Sequence, residues 1–213
     1  ADTAQARADR AASERLRQLE NSDRWLLATA HAELSPTLAM QHFDCALGIR
    51  SASHAMVLTQ ALLARILHDA NEAAEIAKAR DPRPRPIAVD PSRPACQRFS
   101  EASRASPSYP SGSASVGAAY GEVLAVIDPA HAGSVREIGH QIALSRAICG
   151  MHYPADVEAG QSLGRAVGQA IVATPEFQAD KAEVAREIAT ARASGLTHPG
   201  CAAERQALAV VLP

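Results

Sequence analysis

Three prolines at alternate positions in Asp81-Pro82-Arg83-Pro84-Arg85-Pro86 set the first limit on what this chain can fold into. Each removes a backbone donor and pushes the residue before it into extended geometry, so no helix continues through the run. Just ahead of it, Ser51 to Lys78 is the longest periodic segment. Leu58, Leu62, Ile66, Ala73 and Ile76 lie along one face, with Leu63, Leu67, Ala70 and Ala74 beside it. The pattern predicts one long helix with a broad apolar face. From the prolines to Gly112 the chain is rich in Pro, Ser and Arg and reads as loop. Compact domains rarely carry structureless connections above roughly 12 to 15 residues unless they serve a site, so this loop is where chemistry is expected.

Elsewhere helical spacing dominates. The stretch to about Glu33 is periodic, with Ser22 as an N-cap ahead of Trp25, Leu26 and Leu27. Further helices are predicted over Ser113 to Ile127, Ser134 to Cys149, Pro154 to Ala173, and from Pro175, capped by Thr174, to about Ser194. The last twenty residues give only a weak pattern. Hydrophobic residues make up 47% of the chain but aromatics only 3%. An apolar content supplied by alanine and leucine favours closely packed helices over sheets. The predicted fold is all-α, one helical bundle over 1–213.

With 21 Lys+Arg against 23 Asp+Glu, a formal net charge of -2, the chain carries no basic coat. Neither a stripe of basic residues interleaved with aromatics nor a global charge bias points to nucleic acid. No segment reaches the roughly 20 apolar residues of a membrane span. The start at Ala1-Asp2-Thr3 suits a mature form left after signal-peptide cleavage, and Cys45, Cys96, Cys149 and Cys201 suit two disulfides with three possible connectivities. Both features predict a periplasmic or secreted protein. Buried free thiols are the alternative.

Three clusters carry the chemical signal: Lys78 followed after six residues by Arg85-Pro86, with Arg80 and Arg83 between; Ser108-Tyr109-Pro110-Ser111-Gly112-Ser113; and Ser145-Arg146, then His152, then Asp156. In this order and spacing they match the tripartite pattern KX6RP, PSGH, SRX5HX3D. The sequence thereby resembles the class A bacterial nonspecific acid phosphatases of the type 2 phosphatidic acid phosphatase superfamily, which also includes the vanadium haloperoxidases. The likeness runs from about Ser13 to Arg192, leaving 1–12 and 195–213 outside it.

The resemblance implies a metal-independent, cofactor-free phosphomonoester hydrolase. Lys78, Arg85 and Arg146 would bind phosphate, and Ser111 and Gly112 would offer amides at a helix start. His152 would be the nucleophile that forms a phosphohistidine, and Asp156 would accept from its Nδ1. Phosphate esters would be the substrates, inorganic phosphate or vanadate the site ligands, and a homo-oligomer the assembly state.

Position 113 departs from the pattern. The family's histidine there protonates the leaving oxygen; this chain has Ser113, which has no accessible proton near neutral pH. Losing a positioned general acid costs about 100- to 10,000-fold in rate. Three readings follow: a phosphatase suited to good leaving groups, a catalytically impaired phosphate binder, and a vanadate-dependent haloperoxidase. The haloperoxidases are much larger and use the missing histidine. His140, five residues before Ser145, would substitute as acid if its helix turned it into the pocket.

Overall fold

The computed structural model describes residues 3–98 and 100–213; Ala1 and Asp2, where a processed start is expected, and Phe99 in the long loop lie outside them. The helices are α1 (Ala4–Arg15), α2 (Asp23–Ala30), α3 (Pro36–His42), α4 (Asp44–Leu47), α5 (Val57–Lys78), α6 (Pro86–Val89), α7 (Glu101–Ala105), α8 (Gly112–Ile127), α9 (Ala132–Ile148), α10 (Pro154–Val172), α11 (Pro175–Ala193) and α12 (Cys201–Leu208). No strand occurs among the described residues. The fold is a single all-α domain, as the composition predicted.

Helix α8 is the axis. It is buried on all sides, with Val116, Tyr120 and Leu124 set among glycines and alanines. Its main neighbours are α10, α9 and α5. Small residues are needed here because the backbones nearly touch. A Cβ on Gly139 of α9 would lie 2.6 Å from the carbonyl oxygen of Gly117, and one on Gly160 or Gly164 of α10 would collide with the carbonyl oxygens of Ser111 or Ser115. Gly160, Gly164 and Gly168, four apart, form one stripe along α10 facing α8. Helices at this separation have little room for aromatic side chains, which accounts for their scarcity.

The long amphipathic helix differs from expectation at its start. Ser51–Ser53 forms a separate 3-10 turn, its first amide held by the Asp44 carboxylate at 3.1 and 3.2 Å. Helix α5 begins at Val57, where the Glu187 carboxylate of α11 accepts from the amides of Leu58 (2.9 Å) and Thr59 (2.8 Å). A distant side chain thus does the capping that a local residue usually performs. Its buried face is Leu62, Leu63, Ile66, Ala70 and Ala74, while Leu58 and Ile76 are exposed. Ser22 does cap α2, accepting from Trp25 N, and Thr174 caps α11.

The cysteines pair as Cys45–Cys201 and Cys96–Cys149. The first fastens α12 to α4; the second fastens the long loop to the end of α9. That loop, expected to lack structure, holds the short helices α6 and α7. Each bond closes a long stretch of chain and is worth about 4 to 5 kcal/mol in the chain-entropy treatment. No helix among the described residues is long and apolar enough to cross a membrane.

Candidate active site

His152 lies in the turn between α9 and α10. Gly150 has a φ of 70°, in the left-handed region, and this lets the amides of Met151 and His152 return to the carbonyl of Arg146 at 3.2 and 3.3 Å. The turn therefore seats His152 directly against the end of α9. The imidazole is 2% exposed. Its Nδ1 donates to the Ser108 carbonyl at 2.9 Å, and its Nε2 accepts from Arg85 Nη1 at 2.9 Å. This pattern assigns the proton to Nδ1 and leaves the lone pair on Nε2.

Three elements bring cations to this ring. Lys78 ends α5, Arg85 precedes α6 and Arg146 sits in the last turn of α9. All three are buried. Burial, then Arg85, Arg146 and Lys78 in that order, hold the His152 imidazole well below the usual histidine range. Arg85 is fixed by Ser106, with Nη2 donating to Oγ at 2.9 Å, and by the Met151 carbonyl at 3.3 Å. Burial, and then the neighbouring Arg85, push the Arg146 guanidinium down to about 10. Its Nε and Nη1 have no hydrogen-bond partner among the described residues. A buried guanidinium with two unanswered donors is a strong demand for an anion.

The start of α8 completes the wall. Ser111 is its N-cap, accepting from Ala114 N at 3.3 Å, and its own amide donates to the Asp156 carbonyl at 2.9 Å. The Tyr109-Pro110 peptide just before it is cis. A Cβ on Gly112 would lie 3.6 Å from Lys78 Nζ, so this ammonium lies over the first turn. Lys78 also pairs with the exposed Glu75 carboxylate at 2.5 Å. Ser113 follows in the same turn, half-buried.

Asp156 works differently from expectation. Its Oδ2 is 3.9 Å from His152 Nδ1, too far for a direct hydrogen bond. That oxygen instead accepts from Ser108 Oγ at 2.6 Å and from Tyr153 N at 2.7 Å, while Oδ1 accepts from Arg83 Nη1 at 2.8 Å. Asp156 thus reaches the imidazole through Ser108. Burial raises its carboxyl above the ordinary range; bonds from Ser108 and Tyr153 and the charge of Arg83 oppose this. His140 is not turned into the site: it is exposed, and its Nδ1 bonds to Gln161 Oε1 at 2.6 Å. Among the described residues one grouping has metal-ligand composition, Cys45, His198 and Cys201, and two of its sulfurs are joined in a disulfide.

Sequence reasoning placed Ser108 at the head of the second cluster but gave it no role; it fixes the imidazole through both its carbonyl, at 2.9 Å, and its hydroxyl, at 3.3 Å. The same reasoning read Arg83 as part of the basic cluster, whereas this residue turns away to pair with Asp156 and with Asp9 of α1. Arg80 is exposed. The only local signal for Ser108 was its place just ahead of the Tyr-Pro-Ser-Gly block.

No protein-family model matches the chain. It is 31% identical over 182 residues to an acid phosphatase of Zymomonas mobilis, covering 85% of this chain and 69% of that protein. It is 29% identical over 171 residues to a non-specific acid phosphatase of Providencia stuartii, covering 80% and 69%. A non-specific acid phosphatase of Salmonella typhimurium shares 35% identity over 81 residues, 38% of this chain and 32% of that protein.

Proposed function

The chain belongs to the acid phosphatase family and is a phosphoric monoester hydrolase, and from that premise we propose that it works through a phosphohistidine on His152, in the manner of the superfamily its motifs resemble. The observation that carries this reading is the junction of a lone-pair-bearing Nε2 with Lys78, Arg85 and the two unanswered donors of Arg146. Phosphoryl transfer needs positioned positive charge on the equatorial oxygens and an in-line nucleophile.

In the first half-reaction the Nε2 lone pair forms a bond to phosphorus and the ester P–O bond breaks. The departing oxygen keeps the electron pair and takes a proton from solvent or substrate surroundings, since Ser113 is no acid. In the second half-reaction water attacks phosphorus, the P–N bond breaks, and the pair returns to Nε2. An alcohol in place of water gives transfer instead of hydrolysis. Because burial and three cations resist protonation of His152, the nucleophile keeps its lone pair to lower pH than an ordinary histidine. Esters with good leaving groups, aryl phosphates and phosphoanhydrides, are the substrates this site favours. Vanadate would bind as a transition-state mimic, and the two disulfides support an oxidising compartment, periplasmic or extracellular.

The test is covalent trapping. The wild-type protein given a radiolabelled phosphate ester and quenched in alkali should carry label on His152, and His152→Ala should carry none. Label that persists in His152→Ala would reject this nucleophile.

A further inference from the structure

We infer that Asp9 and Arg83 are positioning residues for His152: with Asp156 they form a carboxylate–guanidinium–carboxylate chain, its two carboxylates buried and Arg83 partly exposed, that keeps one net negative charge behind the imidazole. Asp9 lies on α1, ahead of the stretch over which the motif resemblance runs, and is 2% exposed. Its Oδ2 accepts from Arg83 Nη2 at 2.8 Å, and its Oδ1 accepts from Ala155 N at 3.1 Å, in the first turn of α10. Arg83 Nη1 donates to Asp156 Oδ1 at 2.8 Å, with its guanidinium 4.2 Å from the centre of the Tyr153 ring. Asp156 then holds Ser108, which holds His152.

The arithmetic of charge explains why a second carboxylate is needed. Lys78 from α5, Arg85 from the loop and Arg146 from α9 all face His152. Against them stand the exposed Glu75 of α5, paired with Lys78, and from α10 Asp156 alone, 3.9 Å from the ring. Arg83 by itself would cancel Asp156 and leave no net negative charge on the Nδ1 side of the ring. Asp9 cancels Arg83, so that the formal charges of the three groups, two carboxylates and one guanidinium, total one negative charge. That charge opposes the positive charge the imidazole acquires when Nε2 is phosphorylated. Asp9 also ties α1 to the first turn of α10, where the helix dipole favours an anion.

This inference rests on the covalent reading above, and its test separates the two. Asp9→Asn keeps the shape and removes the charge, leaving Arg83 and Asp156 neutral as a pair. The acid limb of kcat/KM for an aryl phosphate reports protonation in the free enzyme. In Asp9→Asn it should move to lower pH by on the order of 0.5 unit. Because Asp9 does not reach the phosphate cradle, kcat should fall about tenfold while KM changes less than about twofold. The double variant Asp9→Asn/Arg83→Gln returns the net charge to that of the wild type, so its acid limb should return to the wild-type position. An unmoved limb in Asp9→Asn, or a double variant displaced further in the same direction, would overturn the proposal. Labelling of His152 is followed in all three proteins. A wild type that turns over without label rejects the covalent reading, while the limb still reports the charge on the ring.

Discussion

Arg85 Nη1 donates to His152 Nε2 at 2.9 Å, so one cation holds the same lone pair that would attack phosphorus. An incoming phosphate must draw that guanidinium onto its own oxygens before the nitrogen is free. Arg85→Lys keeps the charge but loses the fork that also grips Ser106 and Met151. It should lower kcat/KM for p-nitrophenyl phosphate about 100-fold. Arg146→Gln should weaken vanadate inhibition by at least about tenfold, since a charge-assisted contact is worth about 1.5–3 kcal/mol. Steady-state kinetics with vanadate titration measures both. Unchanged vanadate affinity in the two variants would remove the anion cradle from the site.

Ser113 occupies the first turn of α8 beside Gly112, where the motif pattern has histidine. Ser113→His should raise hydrolysis of alkyl phosphates by about 100-fold or more while changing aryl phosphates little. Parallel rates on β-glycerophosphate and p-nitrophenyl phosphate give the comparison. Equal gains on both esters would mean that protonation of the leaving group is not what serine lacks.

Acid should weaken the fold through three histidines, two of them buried. His31, His42 and His152 all have folded values below the unfolded 6.5, chiefly through burial. Below pH 6.5 the unfolded chain binds more protons than the folded one, so stability falls as pH drops through this window. Asp44, Asp156 and Glu204 are raised by burial and act in the opposite direction, at lower pH. His31, wholly buried, bonds through Nδ1 to Ser145 Oγ at 2.9 Å. His31→Gln, which cannot take up a proton, should flatten the decline of Tm between pH 7 and 5. A decline as steep as in the wild type would show that His31 does not drive it.

Two glycine substitutions should act in opposite directions. Gly164→Ala places a methyl group against the Ser115 carbonyl and should cost at least about 2 kcal/mol, lowering Tm by on the order of 5 °C. Gly133→Ala, in the first turn of α9 with nothing within 4 Å of the added carbon, should stabilise by about 0.5 kcal/mol. Thermal melts of the two variants settle the comparison.

The cations around His152 were legible because the motif spacing is local: six residues from Lys78 to Arg85 span the turn after α5, and five from Arg146 to His152 span the turn after α9. Helix identity was legible for the same reason, in the 3.6-residue period. What escaped was set by contacts distant in sequence. The start of α5 depends on Glu187, far along the chain, and Asp9 reads as one more acid on a polar helix until the fold brings it to Arg83. The bond from Ser108 to His152 runs through a backbone carbonyl, which every residue possesses and no sequence pattern marks. Gly160, Gly164 and Gly168 were visible at helical spacing, but glycine within a helix reads as weakness until its neighbour is known.

The joint between α8 and α10 has a consequence for how such a protein can diversify. Gly160 meets the Ser111 carbonyl with no side chain between them, and Ser111 N is bonded to the Asp156 carbonyl at 2.9 Å. A seam made of main chain offers nothing for mutation to repack. The distance from the helix end that would receive phosphate to the turn that carries His152 is therefore insulated from drift in the surrounding residues. The loops that would meet the rest of an ester are free to change, and new substrates can be explored without retuning the reacting centre.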